Sequence, residues 1–231
     1  MQQRLIAFGL FFIASVALVQ CGYKDIGDMS GTSQCCSPDG SPFPRSTKIL
    51  WNVTPVKQAT NYTCGASAMQ SVLAYYGHGF TEEFLAKELG SDAESGTDHV
   101  KMAAYANRLG IKAEVKTNLK IEDLKPYLDR DQPVIVEAQA YGMKDGVEVP
   151  NMDYTNVWDQ GHYMVAIGLD QNNIYFMDPS ASGSRGFLPL KDFVPRWHDL
   201  DWKNQQLTHT AIFFDGKPNP VALPRHWVKI P

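Results

Sequence analysis

Two residues of this sequence could cooperate in nucleophilic chemistry, a cysteine at position 64 and a histidine at position 162. Cys64 lies in the stretch "TNYTCGASAMQ", where Thr63 is a candidate helix N-cap and Gly65 would leave the backbone beside the sulfur open to a substrate. At the N-terminus of a helix, the helix dipole and unpaired backbone N–H groups favour a thiolate, and a nearby imidazolium favours it further. A thiolate attacks carbonyl carbon, so the pair suits acyl-transfer chemistry. The competing interpretation of Cys64 is a small, buried core residue.

Two further polar residues stand where such a pair needs support. Asp178 ends the segment "IYFMD", and if the chain turns back at 172–173, the two flanking strands run antiparallel and bring Asp178 beside His162. A carboxylate there would fix the tautomer of the imidazole and stabilise its protonated form. Gln58 precedes Cys64 with five residues between them, and its amide could help the Cys64 backbone N–H bind an oxyanion. The structural alternatives are an Asp-Pro turn and a surface glutamine.

The other histidines and two other aspartates fit structural roles better. His209 begins a predicted strand and is the best rival base, whereas Asp159 lies in a loop and Asp170 lies at the far end of the predicted hairpin. The remaining histidines, each expected to bond to a neighbour, are His78, His99, His198 and His226. No metal-ligand spacing, phosphate-binding loop or internal repeat is visible, so we expect no cofactor and no metal.

The elements that must position these residues follow from the hydrophobic pattern. The predicted helices cover 64–76, 81–89, 97–109, 121–130 and 190–198, and the predicted strands cover 48–53, 112–115, 133–140, 162–170, 173–178 and 209–214. Because helices come first and antiparallel strands come later, we expect an α+β fold with N-terminal helices packed on an antiparallel sheet. The long loop at 141–161 contributes Tyr141, Tyr154 and Trp158, which together with Gly65 and Gly161 are predicted to line a substrate cleft.

Composition limits the classes of function. The chain has 231 residues, of which 44% are hydrophobic and 20% are charged, which suits one globular domain with a substantial core. The formal net charge is −4 and no basic stripe is present, so nucleic acid is not expected as a partner.

The N-terminal segment has the pattern of an export signal at residues 1–21. One positive residue, Arg4, precedes an apolar run at 5–19 that is short for a membrane span. The run ends at "LVQC", which resembles a lipoprotein box with Cys21 as the lipidated residue, although Gln20 stands where that signal has a small residue. Ordinary cleavage after Ala17 is the alternative. We therefore expect an exported protein of the periplasm or cell envelope, anchored to the membrane at Cys21, or an extracellular one.

The segment that follows this signal has no regular spacing of hydrophobic residues. Residues 22–46 are rich in Gly, Ser, Asp and Pro and are predicted to form a disordered linker, within which Cys35 and Cys36 have no assigned role. The folded domain is expected at 47–216, followed by a proline-broken tail at 217–231.

The two candidate motifs together resemble those of a known family. The stretches "QATNYTCGASAMQSVLAYYG" and "GHYMVAIGLDQNNIYFMDPS" resemble papain-like cysteine peptidases of the bacteriocin-processing, double-glycine-leader family, and more closely their stand-alone exported relatives. The resemblance runs from about residue 56 to residue 214 and implies a papain-like fold. It implies that Cys64 is the nucleophile, His162 the general base, Asp178 the residue that orients His162, and Gln58 the oxyanion donor. Thr63 departs from the aspartate that often precedes the cysteine in transporter-linked members.

The leading hypothesis from the sequence is an exported cysteine peptidase that acts on a peptide or protein substrate. One alternative is a catalytically silent module on the same fold that binds peptides or cell-wall material. The other keeps the cysteine nucleophile but transfers the acyl or peptidyl group to an amine instead of water.

Overall fold

The computed structural model describes residues 47–144, 147–149, 152–181 and 185–223. The predicted export signal, lipidation at Cys21, the linker with Cys35 and Cys36, and His226 lie outside the described residues. Of the predicted tail, residues 217–223 are described, and Asn219 and Val221 donate backbone hydrogen bonds to the carbonyls of Tyr75 and Ala74. None of the helices in the described segments is long and apolar enough to cross a membrane.

A six-stranded antiparallel sheet forms the centre of the fold. The strands, in chain order, are β1 (Lys112–Lys116), β2 (Val134–Gln139), β3 (Met143–Lys144), β4 (Val147–Glu148), β5 (Gly161–Leu169), β6 (Asn173–Met177), β7 (Arg185–Pro189), β8 (His198–Leu200), β9 (Gln206–Thr208) and β10 (Ala211–Asp215). The main sheet has the order β1-β10-β2-β5-β6-β7, while β3 pairs with β4 and β8 with β9. Strand β2 is buried along its whole length and β5 along nearly all of it, because both are central strands covered on both faces.

In the described segments, five helices accompany the sheet: α1 (Cys64–Tyr75), α2 (Glu82–Leu89), α3 (His99–Arg108), α4 (Ile121–Asp129) and α5 (Leu190–Phe193). Helix α1 packs against β5 and α2, α3 packs against β1, and α4 packs against β5 and β2. Every residue of α1 except Gln70 is buried, which is the pattern of a helix in the middle of a core. The position of α1 against β5 matters most for function, because these two elements carry the candidate nucleophile and base.

Local signals explain where most helices begin and end. The Thr81 side chain accepts a hydrogen bond from the backbone N–H of Phe84 and starts α2, while Gly90 ends it in the left-handed conformation at φ 67°. The predicted third helix begins two residues later than expected, at His99, because Asp98 rather than Thr97 supplies the cap by accepting from the backbone N–H of Val100. The prediction of an α+β fold with an antiparallel sheet is confirmed.

Two predicted elements differ from the structure. The strand predicted at 48–53 is wrong, because the chain turns at Trp51 and only Ile49 makes a bridge, to Gly168. The helix predicted at 190–198 is split into α5 and a 3₁₀ turn at Val194–Arg196, since Pro195 has no backbone N–H to continue an α-helix. The pattern also missed the edge strand β7 and the small hairpins β3–β4 and β8–β9, whose short strands carry too few residues for a clear period.

A buried tryptophan fixes the segment between α5 and β10. Trp197 is fully buried, and its indole N–H donates to the Thr210 carbonyl at 2.9 Å. Its ring stacks between Phe193 at 5.2 Å and His209 at 4.9 Å. The indole therefore ties the turn after α5 to the start of β10.

The substitution Trp197→Ala should lower the free energy of unfolding by about 3–5 kcal/mol, because it leaves a large cavity and removes one of the two hydrogen bonds to the Thr210 carbonyl. The matched control is Trp202→Ala, which removes a side chain that is 55% exposed and should cost less than about 1 kcal/mol. Urea unfolding followed by circular dichroism measures both, and equal losses for the two variants would contradict the assignment of Trp197 to the core.

Candidate active site

Cys64 is the first residue of α1. Among the described residues, no side chain caps the backbone N–H groups at this N-terminus of the helix. Thr63 holds the N-cap position as predicted, but its hydroxyl accepts from the Thr60 backbone N–H and contacts the Thr60 hydroxyl at 3.0 Å, not the first turn of α1. The first helical hydrogen bond runs from the Ser67 N–H to the Thr63 carbonyl. The N–H groups of the first turn thus receive no side-chain cap, which suits a helix end that binds an anion. Cys64 is buried, with its thiol free.

His162 and Asp178 meet across the β5–β6 hairpin, as the sequence predicts. The strands pair antiparallel with Val165 opposite Met177, so Asp178 follows directly at the end where β5 begins. The Nε2 atom of His162 lies 2.8 Å from a carboxylate oxygen of Asp178, and both side chains are buried. Because Nε2 is committed to Asp178, the nitrogen that faces Cys64 is Nδ1.

The charges around His162 favour its protonated form. Burial by itself lowers the pKa of His162, but the hydrogen bond to Asp178 and the interaction with the Cys64 sulfur outweigh that effect and raise the pKa to about 9. The imidazole is therefore held as an imidazolium between a carboxylate and a sulfur at neutral pH. This arrangement can protonate a leaving group.

Asp178 is held by three donors. Besides His162, the Tyr141 hydroxyl donates to it at 2.7 Å and the Ser180 backbone N–H donates at 2.9 Å. Burial alone would raise the pKa of Asp178, yet these bonds hold it below its ordinary value. The carboxylate thus stays charged beside His162.

Tyr141, which the sequence predicts to line the cleft, also bonds to Asp178, and no sequence pattern indicates that bond. The backbone of Tyr141 has φ 55°, an uncommon value for a residue with a side chain, and its ring meets the His162 ring edge-on at 5.3 Å. Such backbone conformations cluster at functional sites. The Ser180 bond could have been inferred from "DPS", because an aspartate often accepts from the N–H two residues later.

Gln58 is anchored at the same end of the fold. Its backbone N–H donates to the Pro179 carbonyl at 3.0 Å, and its side-chain oxygen accepts from the Ser180 hydroxyl at 2.8 Å. Its amide nitrogen donates one hydrogen to the Thr60 carbonyl at 2.7 Å. Among the described residues the second amide hydrogen meets no acceptor, and Gln58 is not among the residues that line the cleft at Cys64.

The cleft that reaches Cys64 has a volume of about 660 Å³, and two of the five predicted cleft residues line it. Trp158 and Gly161 line this cleft. Gly65 does not, because the space beside its Cα is filled by Thr97 and Tyr163, so this glycine permits close packing and does not open the backbone to substrate. Tyr154 lines a separate cavity of about 220 Å³, together with Tyr141 and Asp178.

The rival histidines have structural partners. His209, the best rival base, has Nδ1 at 2.8 Å from the Leu119 carbonyl. His198 lies 2.7 Å from the Val157 carbonyl, and His99 forms an ion pair with a buried glutamate, as expected for residues bonded to neighbours. His78 stacks on Phe80.

The two weaker aspartate candidates lie in different parts of the fold. Asp170 lies at the turn between β5 and β6, where it accepts the N–H groups of Asn172 and Asn173, while Asp159 lines the cleft. Within the described residues, no group of three or more His, Cys, Asp or Glu side chains is arranged to hold a metal ion.

Solved structures share this fold. A protein assigned as a C39-like peptidase from Bacillus anthracis is 21% identical, with a TM-score of 0.56 over 75% of this chain and 99% of that one. The peptidase domain of Streptococcus ComA is 20% identical, with a TM-score of 0.50 over 71% of this chain and 99% of that one. A double glycine motif protease from an AMS/PCAT transporter, crystallised with the leader peptide, is 19% identical, with a TM-score of 0.50 over 74% and 95%. At these identities the similarity establishes the papain-like peptidase fold that the sequence resemblance implied.

Sequence comparisons agree with the fold. Uncharacterized proteins of Methanothermobacter thermautotrophicus and Methanothermobacter marburgensis are 29% and 30% identical over 125 residues, which is 54% of this chain and 70% of each relative. The model of the Peptidase_C39 like family matches residues 50–202, which is more than half of the chain. With the helix, hairpin and cleft described above, these matches lead to one conclusion: the chain belongs to the Peptidase_C39 like family.

Proposed function

We propose that this protein is an exported cysteine peptidase that hydrolyses peptide or amide bonds. The observation that carries the proposal is the buried set of Cys64, His162 and Asp178, in which Nε2 of His162 donates to Asp178 at 2.8 Å and leaves Nδ1 toward the sulfur. A cysteine at an uncapped helix end beside an imidazolium has the environment of a nucleophile. A related protease has been crystallised with a leader peptide, which supports a peptide as the substrate class.

The reaction would proceed through an acyl-enzyme. The Cys64 thiolate attacks the substrate carbonyl carbon, and the resulting oxyanion is stabilised by the Cys64 backbone N–H and the free amide hydrogen of Gln58. The His162 imidazolium then gives its proton to the leaving amine, and the C–N bond breaks to leave a thioester. Water attacks the thioester while His162 takes its proton, which releases the carboxylic acid and restores the thiolate. Asp178 holds the imidazole in the required tautomer throughout.

The substitution Cys64→Ala should reduce kcat/KM by about 10⁴-fold or more, because the nucleophile is lost while the binding surface remains. The assay is hydrolysis of a peptide library by purified protein, followed by mass spectrometry. The matched control is the double variant Cys35→Ser with Cys36→Ser, which should retain activity. Full activity of Cys64→Ala would refute the proposal.

The dependence of activity on pH should report His162. Because the imidazolium protonates the leaving amine and its pKa is about 9, kcat/KM should fall as the pH rises through about 9. The variant Asp178→Asn removes the charge that raises this pKa, so the alkaline limb should move to lower pH. The same change at Asp129, exposed at the end of α4, should leave the limb in place. An alkaline limb that does not move in Asp178→Asn would contradict the pairing of these two residues.

We propose in addition that the protein is exported and anchored at Cys21, which rests on the charged and apolar pattern of residues 1–21. Mass spectrometry of the mature protein should find an N-terminus at Cys21 with a mass increment from attached lipid. An unmodified N-terminus after Ala17 would leave export standing and refute the anchor, and a full-length chain beginning at Met1 would refute both.

A further inference from the structure

The cleft at Cys64 has an acidic lining. Five carboxylates contribute to it, from three separate parts of the chain: Glu94, Asp98, Asp159, Asp199 and Asp201. Among the described residues, no lysine or arginine lines the cleft or forms an ion pair with these carboxylates, and His99, which also lines the cleft, is paired with Glu137. A cleft lined mainly by charges of one sign concentrates ligands of the opposite sign. The lining of this cleft therefore favours a cationic ligand.

Asp199 is the carboxylate of this lining that lies against Gly161. Its Oδ1 accepts from the Gln139 amide at 3.1 Å and from the Leu200 N–H at 2.8 Å, whereas its Oδ2 accepts no hydrogen bond from the described residues. A methyl group at Gly161 would overlap this Oδ2 atom. The unpartnered oxygen thus lies against the residue that directly precedes His162, and Asp199 lines the same cleft as Cys64.

The surroundings of Asp199 leave its charge poorly compensated. Burial and the nearby Glu137 raise the pKa of Asp199 to about 7, while His162 and the bonds to Oδ1 act in the opposite direction. Glu137 itself is paired with His99 at 2.9 Å. A largely buried carboxylate gains stability when a cation approaches its free oxygen. The substrate is the species that could supply that cation here.

Aromatic side chains complete a surface suited to a positive charge. Trp158, Trp202 and Tyr62 line the same cleft as the carboxylates. Trp202 is 55% exposed, and the Nζ of Lys203 already lies 4.6 Å from the centre of its ring. Aromatic faces attract ammonium and guanidinium groups and also accommodate the aliphatic part of a lysine or arginine side chain.

We propose that this cleft selects peptides with a positively charged group, a lysine or arginine side chain or a free α-ammonium, within about two residues of the bond that is cleaved. Asp199 is the principal counter-charge, and the proposal rests on the proposed peptidase function. An extended peptide rises about 3.3 Å per residue, so a group next to Gly161 can contact only the residues nearest the scissile carbonyl.

The first test measures the charge preference of the cleft without turnover. Full-length protein is treated with methanethiosulfonates that carry a trimethylammonium or a sulfonate group, and the rate of modification of Cys64 is followed by mass spectrometry of its peptide. The ratio of the rate with the cationic reagent to the rate with the anionic reagent should be about tenfold higher at Cys64 than it is for free cysteine. The variant Asp199→Asn should remove most of that preference. Its side-chain oxygen can still accept from Gln139 and Leu200, so the fold should be kept.

The matched control is Glu122→Gln, which removes the same charge from an exposed position on α4 and should leave the ratio of rates unchanged. Equal rates for the two reagents in the wild-type protein, or an unchanged ratio in Asp199→Asn, would overturn the proposal.

The second test measures substrate selection in a peptide library prepared with a Glu-specific protease, which keeps lysine and arginine inside the peptides. Wild-type protein should cleave sites enriched in basic residues within two positions, and Asp199→Asn should lose that enrichment. Cleavage without basic enrichment would overturn this proposal and leave the peptidase function intact. If no peptide is cleaved but the reagent preference depends on Asp199, the peptidase function fails and the cation-binding cleft stands.

Discussion

The buried hydrogen bond between His162 and Asp178 is the interaction on which the rest of the site depends. A carboxylate and an imidazole that leave water lose hydration energy, and only a short, well-supported contact compensates for it. The 2.8 Å bond and the donors Tyr141 and Ser180 supply that support. The result is an imidazolium whose pKa is about 9, held on a central strand of the sheet. A base on a loop would lack this rigidity.

The contact between α1 and β5 brings the sulfur to that imidazolium. Helix α1 is buried on nearly all sides, so it can take only the position that the sheet and the other helices allow. Gly65 permits the close approach, since Thr97 and the ring of Tyr163 on β5 occupy the place of a side chain. The sequence predicts that Gly65 opens the site to substrate. In the structure, Gly65 instead sets how closely the end of α1 approaches β5. The absence of a side-chain cap at Thr63 then leaves the N–H groups of the first turn to a ligand.

Local sequence patterns predict much of this arrangement and fail where contacts are distant. The helical period and the glycine stop predict α1 and α2, because these signals are local. The turn predicted at 172–173 lies at 170–172 in the structure, and the prediction that Asp178 lies beside His162 still holds, because the two strands are consecutive in the chain. The bond from Tyr141 to Asp178 spans 37 positions and depends on an unusual backbone conformation, so no period signals it. The acidic cleft is equally hidden, since its carboxylates come from separate segments that only the folded chain brings together.

A titration of the His162 side chain by nuclear magnetic resonance, with ¹⁵N-labelled histidine, in the wild-type protein and in Cys64→Ala would test whether His162 is held as an imidazolium between Asp178 and Cys64. We expect His162 to titrate near pH 9 in the wild-type protein. Its pKa should be lower in the variant, because the Cys64 sulfur is one of the groups that raise it. If His162 titrates at its ordinary value of about 6.5 in both proteins, neither Asp178 nor Cys64 stabilises the imidazolium, and the proposed role of His162 is wrong.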